Sequence, residues 1–314
     1  MNYDRLISMK HNKLLEKFRE FYFRNYPDDM ELQIEYFSVF GGLDTDIDTC
    51  CDITDQFKEI ILKNFSSLNN MINEITLDNK ENKRLLRALA IGDRRIFSAF
   101  NRAGFNNGNG GAIVNELCNL GLIQIERSRE KSPRKNNPNE KLKRADSRHR
   151  ISHKILFSDP FIRFWFYFIT PHIKEIIEGD FKNVIKEFNK KRNSYTSLIF
   201  EELSEILLNY HIRDSNIISS GSYWDAKIEI DILTITDKDE IFVAECKWKN
   251  HKVNKSELRK IEEKCQILDV KPTQIALFSK RGFSKELKNM QGKKLALYSC
   301  KEFKALVKGT SKNP

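Results

Sequence analysis

Long apolar runs are scarce in these 314 residues. The most apolar stretch, Phe161 to Ile169, falls short of the ~20 residues that a bilayer-spanning helix needs and contains Arg163, so a soluble helix is expected there. Met1 is followed by the polar residues Asn2, Tyr3, Asp4 and Arg5, and no apolar run of ~7–15 residues follows to act as a secretory h-region. A cytoplasmic location without membrane contact is expected. Cysteine is sparse, at 50, 51, 118, 246, 265 and 300, with no CxxC pair and no Cys/His spacing of a zinc site. Cys50 and Cys51 are adjacent, a poor geometry for a disulfide, so the thiols are expected to be reduced. His149 and His153 are four apart but fall in a strand-like segment, and they read as part of a basic surface. The pattern GxxxxGK[ST] is absent, which removes phosphate cradling by a P-loop and leaves no ATP site of that kind.

Charge and aromatic residues are plentiful. Lys and Arg number 54 against 44 Asp and Glu, giving +10 and an isoelectric point near 9.2. Apolar residues make up 40% of the chain and include 22 Phe, while 31% are charged. That composition excludes disorder and collagen for the bulk of the chain and supplies ample core. The length exceeds what one core comfortably fills, and two or three domains are expected.

Periodicity divides the chain into units. Leu14, Leu15, Phe18, Phe21 and Tyr22 share one face of a helix; a second helix follows over about 30–40, stopped by Gly41 and Gly42. An acidic loop carrying Asp44, Asp46, Asp48 and Asp52 leads to more helix at about 54–75, so residues 1–80 read as a helical N-terminal unit. Over 81–156, helices at about 81–91, 94–102 and 110–120 precede β-like residues at 122–128 and 148–156. Three helices followed by a hairpin is the winged-helix order. Asp159 and Pro160 open a connecting helix within 157–189. Residues 190–314 alternate in the order α-β-β-β-α-β, which predicts a mixed sheet with helices on both faces. The fold class is thus multidomain α and α/β.

The strands of this last unit carry unexpected charge. Asp231 stands in Ile228–Ile232 and, in the next strand, Glu245 and Lys247 stand in Val243–Trp248. Burying ionised groups costs several kcal/mol each unless they are paired or bind metal. Glu245 and Lys247 share one strand face and Cys246 points to the other. Asp231 joins them only if 231 pairs with 245, which requires paired residue numbers to sum to 476. A three-residue loop, Asp237-Lys238-Asp239, with Thr236 opposite Glu240 meets that condition; a two-residue loop turns Asp231 away unless a bulge restores the parity. Two carboxylates beside a lysine suit a hard divalent cation such as Mg²⁺ or Mn²⁺, and phosphodiester hydrolysis uses that combination. Asp231, Glu245 and Lys247 in this hairpin resemble the PD-(D/E)xK nuclease superfamily, restriction-endonuclease-like in fold. In that superfamily a glutamate of the preceding helix often joins the site, and Glu201 stands in the matching place. A resemblance over about 80–305 is closer still, carried by Ser158–Phe166, Phe200-Glu201, Trp224, Glu229–Ile232 and Glu245–Trp248. These residues resemble the DUF234 family, the winged-helix and nuclease-like half of archaeal-type ATPases. The region around Phe40-Gly41-Gly42 resembles the lid that follows the ATPase core in those proteins, and the core itself does not occur in this sequence. The resemblance implies catalytic roles for Glu201, Asp231, Glu245 and Lys247, with metal on Asp231 and Glu245, and it implies a separate ATPase as partner.

Between Glu126 and Lys154 lie eleven basic and four acidic residues, seven of the ten surplus positive charges. Arg127, Arg129, Lys131, Arg134, Lys135, Lys141, Lys143, Arg144, Arg148 and Arg150 form the expected nucleic-acid-binding wing, with DNA, duplex or branched, as partner. Asn106, Asn107, Asn109 and Asn115, around the third helix, are candidates for reaching base edges. Glu202 reads as a solvated helix position, Glu229 as a ligand or a flanking residue, Trp224 and Trp248 as packing, and Lys249 as surface. A DNA-binding regulator with a degenerate nuclease fold, an Asp231–Lys247 ion pair replacing the metal, remains the competing reading, as does a partner-binding module. Homo-oligomers stay open.

Overall fold

Helix α1 (Tyr3–Asn25) forms on the apolar stripe of the N-terminal sequence and buries Leu14, Phe18 and Phe21 against α2 (Met30–Phe40). The Phe18 and Phe37 rings meet edge to face at 5.2 Å. Asp29 caps α2 by accepting the Leu32 N–H at 2.9 Å. At its other end Gly42 takes a φ of +96°, and a β-carbon there would stand 2.5 Å from Asp159 Oδ1. Glycine is required at that turn. Helix α3 (Ile53–Gln56) continues through a π-turn at Phe57–Leu62, and α4 (Phe65–Ile75) completes the N-terminal helices. A computed structural model describes residues 3–130 and 151–308 of the chain, with side chains from Lys13 onward.

Helices α5 (Lys80–Ala90), α6 (Ile96–Ala103) and α7 (Asn107–Asn119) follow, then strands β1 (Ile123–Glu126) and β2 (Lys154–Phe157). The strands pair antiparallel with Glu126 opposite Lys154. Gly121, at φ +73°, makes the turn from helix to strand. Three helices and a hairpin stand in the expected order, although β2 starts later than 148. Residues 151–153 stay outside the ladder because their carbonyls serve others: Ser152 O accepts the Trp224 Nε1–H and His153 O accepts the Ile96 N–H, both at 2.9 Å.

Asp159 then opens α8 (Pro160–Phe164), which runs through a π-turn at Trp165–Ile169 and a 3₁₀ turn to α9 (Ile173–Ile177). Phe161, Phe164, Trp165 and Phe168 are buried among Phe57, Phe65, Phe188 and Tyr195, an aromatic hub shared by the units. Helix α10 (Lys182–His211) leaves this hub and runs 30 residues without a break across the boundary expected at 189/190.

The remaining elements are β3 (Ile217–Ser219), β4 (Tyr223–Trp224), β5 (Glu229–Ile230), β6 (Ile232–Thr236), β7 (Ile241–Lys247), α11 (Lys255–Ile267), β8 (Gln274–Ser279), α12 (Lys285–Met290), β9 (Leu295–Ser299) and α13 (Lys304–Val307). The sheet order is β3-β6-β7-β8-β9, antiparallel as far as β7 and parallel beyond it. Ala244, Cys246, Ala276 and Phe278 pack beside Phe200 and Leu203 of α10. Val243, Ile275 and Leu277 pack beside Leu258 and Ile261 of α11 and Leu287 of α12. This is the α/β mixed sheet, helices on both faces, that the alternation predicts. Among the described residues no helix is long and apolar enough to cross a membrane.

Candidate active site

The β6–β7 hairpin has the register that the site requires. Ile232 faces Ala244, Leu233 faces Val243, Thr234 faces Phe242 and Ile235 faces Ile241, so every pair sums to 476. The loop is Asp237-Lys238-Asp239, with Asp239 left-handed at φ +57° and the Thr236 N–H donating to Glu240 O at 3.1 Å. Asp231 lies in the break where the chain passes from β5 to β6, one residue before the Ile232–Ala244 pair. Its Oδ2 accepts the Cys246 N–H at 2.7 Å, so a carboxylate takes the place of a ladder carbonyl. Glu245 and Lys247 project from β7 towards α11, and Cys246 packs on the α10 side.

Electrostatics set the protonation of this group. Burial, and then the charge of Glu245, push the Asp231 carboxyl up to about 6 against the opposing Cys246 N–H, Lys247 and Lys264. Burial, and then Asp231, push Glu201 of α10 up to about 8, only partly offset by Arg94 and Lys154. Near neutrality Asp231 is therefore mostly ionised and Glu201 mostly protonated. Burial pulls the Lys247 ammonium down, but Glu245, Asp231 and Glu257 outweigh it and hold the pKa above the ordinary value. Lys247 thus stays charged and acts as a donor and counter-charge, not as a base. All four expected site residues share one electrostatic neighbourhood.

A fifth residue was not expected from the sequence. Lys264 of α11 donates to Glu245 Oε2 at 2.7 Å, while Lys247 holds Oε1. Its place three residues after Ile261 and one before Cys265 sets it beside the buried stripe of an otherwise charged helix, a weak signal without the sheet register. Glu202, expected in solvent, is buried, with Arg94 at 3.9 Å, because α10 is covered there by the turn before α6. Glu229 turns from the carboxylates to Lys154 at 2.5 Å and Arg95 at 3.5 Å. Trp224 is buried beneath the Lys154 ammonium, Trp248 packs on Phe200 at 4.9 Å, and Lys249 is exposed.

Of the basic segment, Lys131, Arg134, Lys135, Lys141, Lys143, Arg144, Arg148 and Arg150 lie outside the described residues. Arg127 is exposed. Arg129 donates to the carbonyls of Leu233, Gly221 and Ser222 at 2.8, 2.6 and 3.0 Å, tying the hairpin to the α/β unit. Asn106 caps α7 through the Asn109 N–H, whereas Asn107, Asn109 and Asn115 are exposed.

Among the described residues no group of three or more His, Cys, Asp or Glu side chains is arranged as a ready metal cage. Two carboxylates with water completing the shell is nevertheless an ordinary way to hold Mg²⁺. Burial first, and then the Glu245 charge, raise Asp231; Asp231 and Glu245 are the residues that would hold a divalent cation, with Lys247 and Lys264 competing for Glu245.

Residues 165–261 match the model of DUF234, described as "Archaea bacterial proteins of unknown function". Over 176 residues the chain is 29% identical to an uncharacterized protein of Methanocaldococcus jannaschii, covering 54% of this chain and 36% of that one. The chain thus spans about a third of its relative's length. No solved structure matches it. The stretch that is similar to the DUF234 family, residues 165–261, carries Glu201, Asp231, Glu245 and Lys247.

Proposed function

We propose that the protein binds DNA through its helix–hairpin unit, acting as a winged helix, and hydrolyses phosphodiester bonds with Mg²⁺ or Mn²⁺ at a PD-(D/E)xK-type site. The observation that supports this reading is the Asp231 carboxylate bonded to the Cys246 N–H, between Glu245 and Lys247 of β7. Asp231 and Glu245 hold the metal. When bound, it supplies charge for the phosphoryl oxygen and lowers the pKa of attacking water. Lys247, charged throughout the neutral range, orients that water and offsets charge on the phosphoryl group. Glu201, beside Asp231 in the same electrostatic neighbourhood, supports the metal or that water. Arg127 and the basic residues of 131–150 supply the phosphate-backbone grip, while Arg129 ties the two units together.

The test is cleavage of plasmid or branched DNA with Mg²⁺, comparing the native chain with Asp231→Ala and Lys247→Ala. Loss of cutting in both variants supports the site; undiminished cutting excludes it. Lys264 favours a second reading, because its ammonium already neutralises Glu245 where a metal would bind. On that reading the fold binds DNA without cutting, affinity falls steeply with salt, and Asp231→Ala leaves affinity level.

A further inference from the structure

The segment that delivers Asp231 has little structure of its own. Strands β4 and β5 are two residues each, paired only through Tyr223–Ile230 and Trp224–Glu229. A two-stranded hairpin of that size has marginal stability in water. Its position is therefore set by what it docks against: Tyr223, Ile228 and Ile230 pack into the α/β core beside Val243 and Leu258, and the polar seam is made with the helix–hairpin unit. Glu126 of β1 accepts the Ser222 N–H and hydroxyl at 3.0 and 2.9 Å. Arg129 holds the carbonyls of Gly221 and Ser222, and Ser152 O takes the Trp224 indole N–H.

At the centre of this seam is Lys154, only 2% exposed although it is a lysine. A buried ammonium is costly without a partner. Its Nζ meets Glu229 Oε1 at 2.5 Å and stands 4.4 Å from the centre of the Trp224 ring, so it touches both strands of the small hairpin at their paired residues. Glu229 is two residues before Asp231. The ladder is interrupted at Asp231, whose Oδ2 bond to the Cys246 N–H ties the carboxylate to β7.

We infer that Lys154 is a positioning residue: acting from the helix–hairpin unit through Glu229 and Trp224, it sets the place of Asp231 against β7. The proposed cleavage site is thus assembled from two units, and the unit proposed to grip DNA also aims the carboxylate proposed to hold metal. This inference rests on the reading of Asp231 as a functional group, but its test does not depend on cleavage.

Hydrogen exchange at the Cys246 amide reports the Asp231 bond directly. In the full chain, Lys154→Met keeps the apolar stem and removes the charge. It is expected to speed exchange at Cys246 about tenfold or more and to leave β8 as protected as before, because the bond from the Cys246 N–H to Asp231 is lost. Lys154→Arg is expected to restore native exchange. Should Lys154→Met fail to fold, Glu229→Gln breaks the same pair from its half-exposed side and is expected to give the same pattern. A folded Lys154→Met, or failing that Glu229→Gln, with native protection at Cys246 overturns the proposal. If the exchange changes appear but the native chain never cuts DNA, the positioning stands and the nuclease reading fails.

Discussion

Replacing Glu201 with glutamine tests the electrostatics of the site before any substrate is added. The carboxyl is raised from 4.5 to about 8, first by burial and then by Asp231. An acid whose folded pKa is raised contributes stability that is present below its unfolded pKa and lost as pH rises through the folded one. For Glu201 that window runs from about pH 4.5 to about pH 8. Each tenfold change in an acid's dissociation constant corresponds to ~1.4 kcal/mol. Water reaching the partly exposed side chain and relaxation of Asp231 reduce the nominal sum, so roughly 2 kcal/mol is expected to disappear across the window. The neutral amide does not titrate. Glu201→Gln is therefore expected to match the native chain near pH 5 and to exceed it by roughly 2 kcal/mol at pH 8, a rise in Tm of about 3 °C for a chain of this size. Thermal unfolding at pH 5, 6, 7 and 8 without divalent metal reads the difference. Parallel curves for the two proteins, or a variant weaker at pH 8, refute the argument that Glu201 carries a buried, suppressed charge.

Lys264→Ala frees one oxygen of Glu245 from a partly exposed ion pair worth about 1 kcal/mol, so affinity for Mn²⁺ is expected to rise about fivefold in calorimetric titrations at pH 8. In the native chain the same titration is expected to weaken towards pH 6, as protons compete for Asp231. Gly42→Ala forces a side chain into a left-handed turn against Asp159 and is expected to cost about 2 kcal/mol or more, seen as a lower urea midpoint with an unchanged slope.

Local pattern carried much of this architecture because it follows from periodicity. Strands β8 and β9 lie on the apolar runs at 274–279 and 295–299, as alternation of helix and strand leads one to expect. The three-residue turn and its register follow from requiring three charged side chains to share one environment, and the observed pairs agree. What sequence could not supply was long-range. Lys264 lies 19 residues beyond Glu245 in a mostly polar helix, and only the packing of α11 on the sheet brings it to the carboxylate. Glu202 looked solvated because nothing local says that Arg94, more than a hundred residues earlier, covers it. Arg129 reads as one more cation of a basic run, yet its donors meet three carbonyls of another unit. Helix α10 hid the unit boundary, since its apolar positions serve the aromatic hub at one end and the sheet at the other.

The central claim is that Asp231 and Glu245 hold a divalent cation. Crystals of the native chain soaked in Mn²⁺ and measured at the manganese absorption edge address it directly. The account expects an anomalous peak between these two carboxylates that disappears in Asp231→Ala. A native crystal at saturating Mn²⁺ with no peak there, and Lys264 still on Glu245, contradicts it.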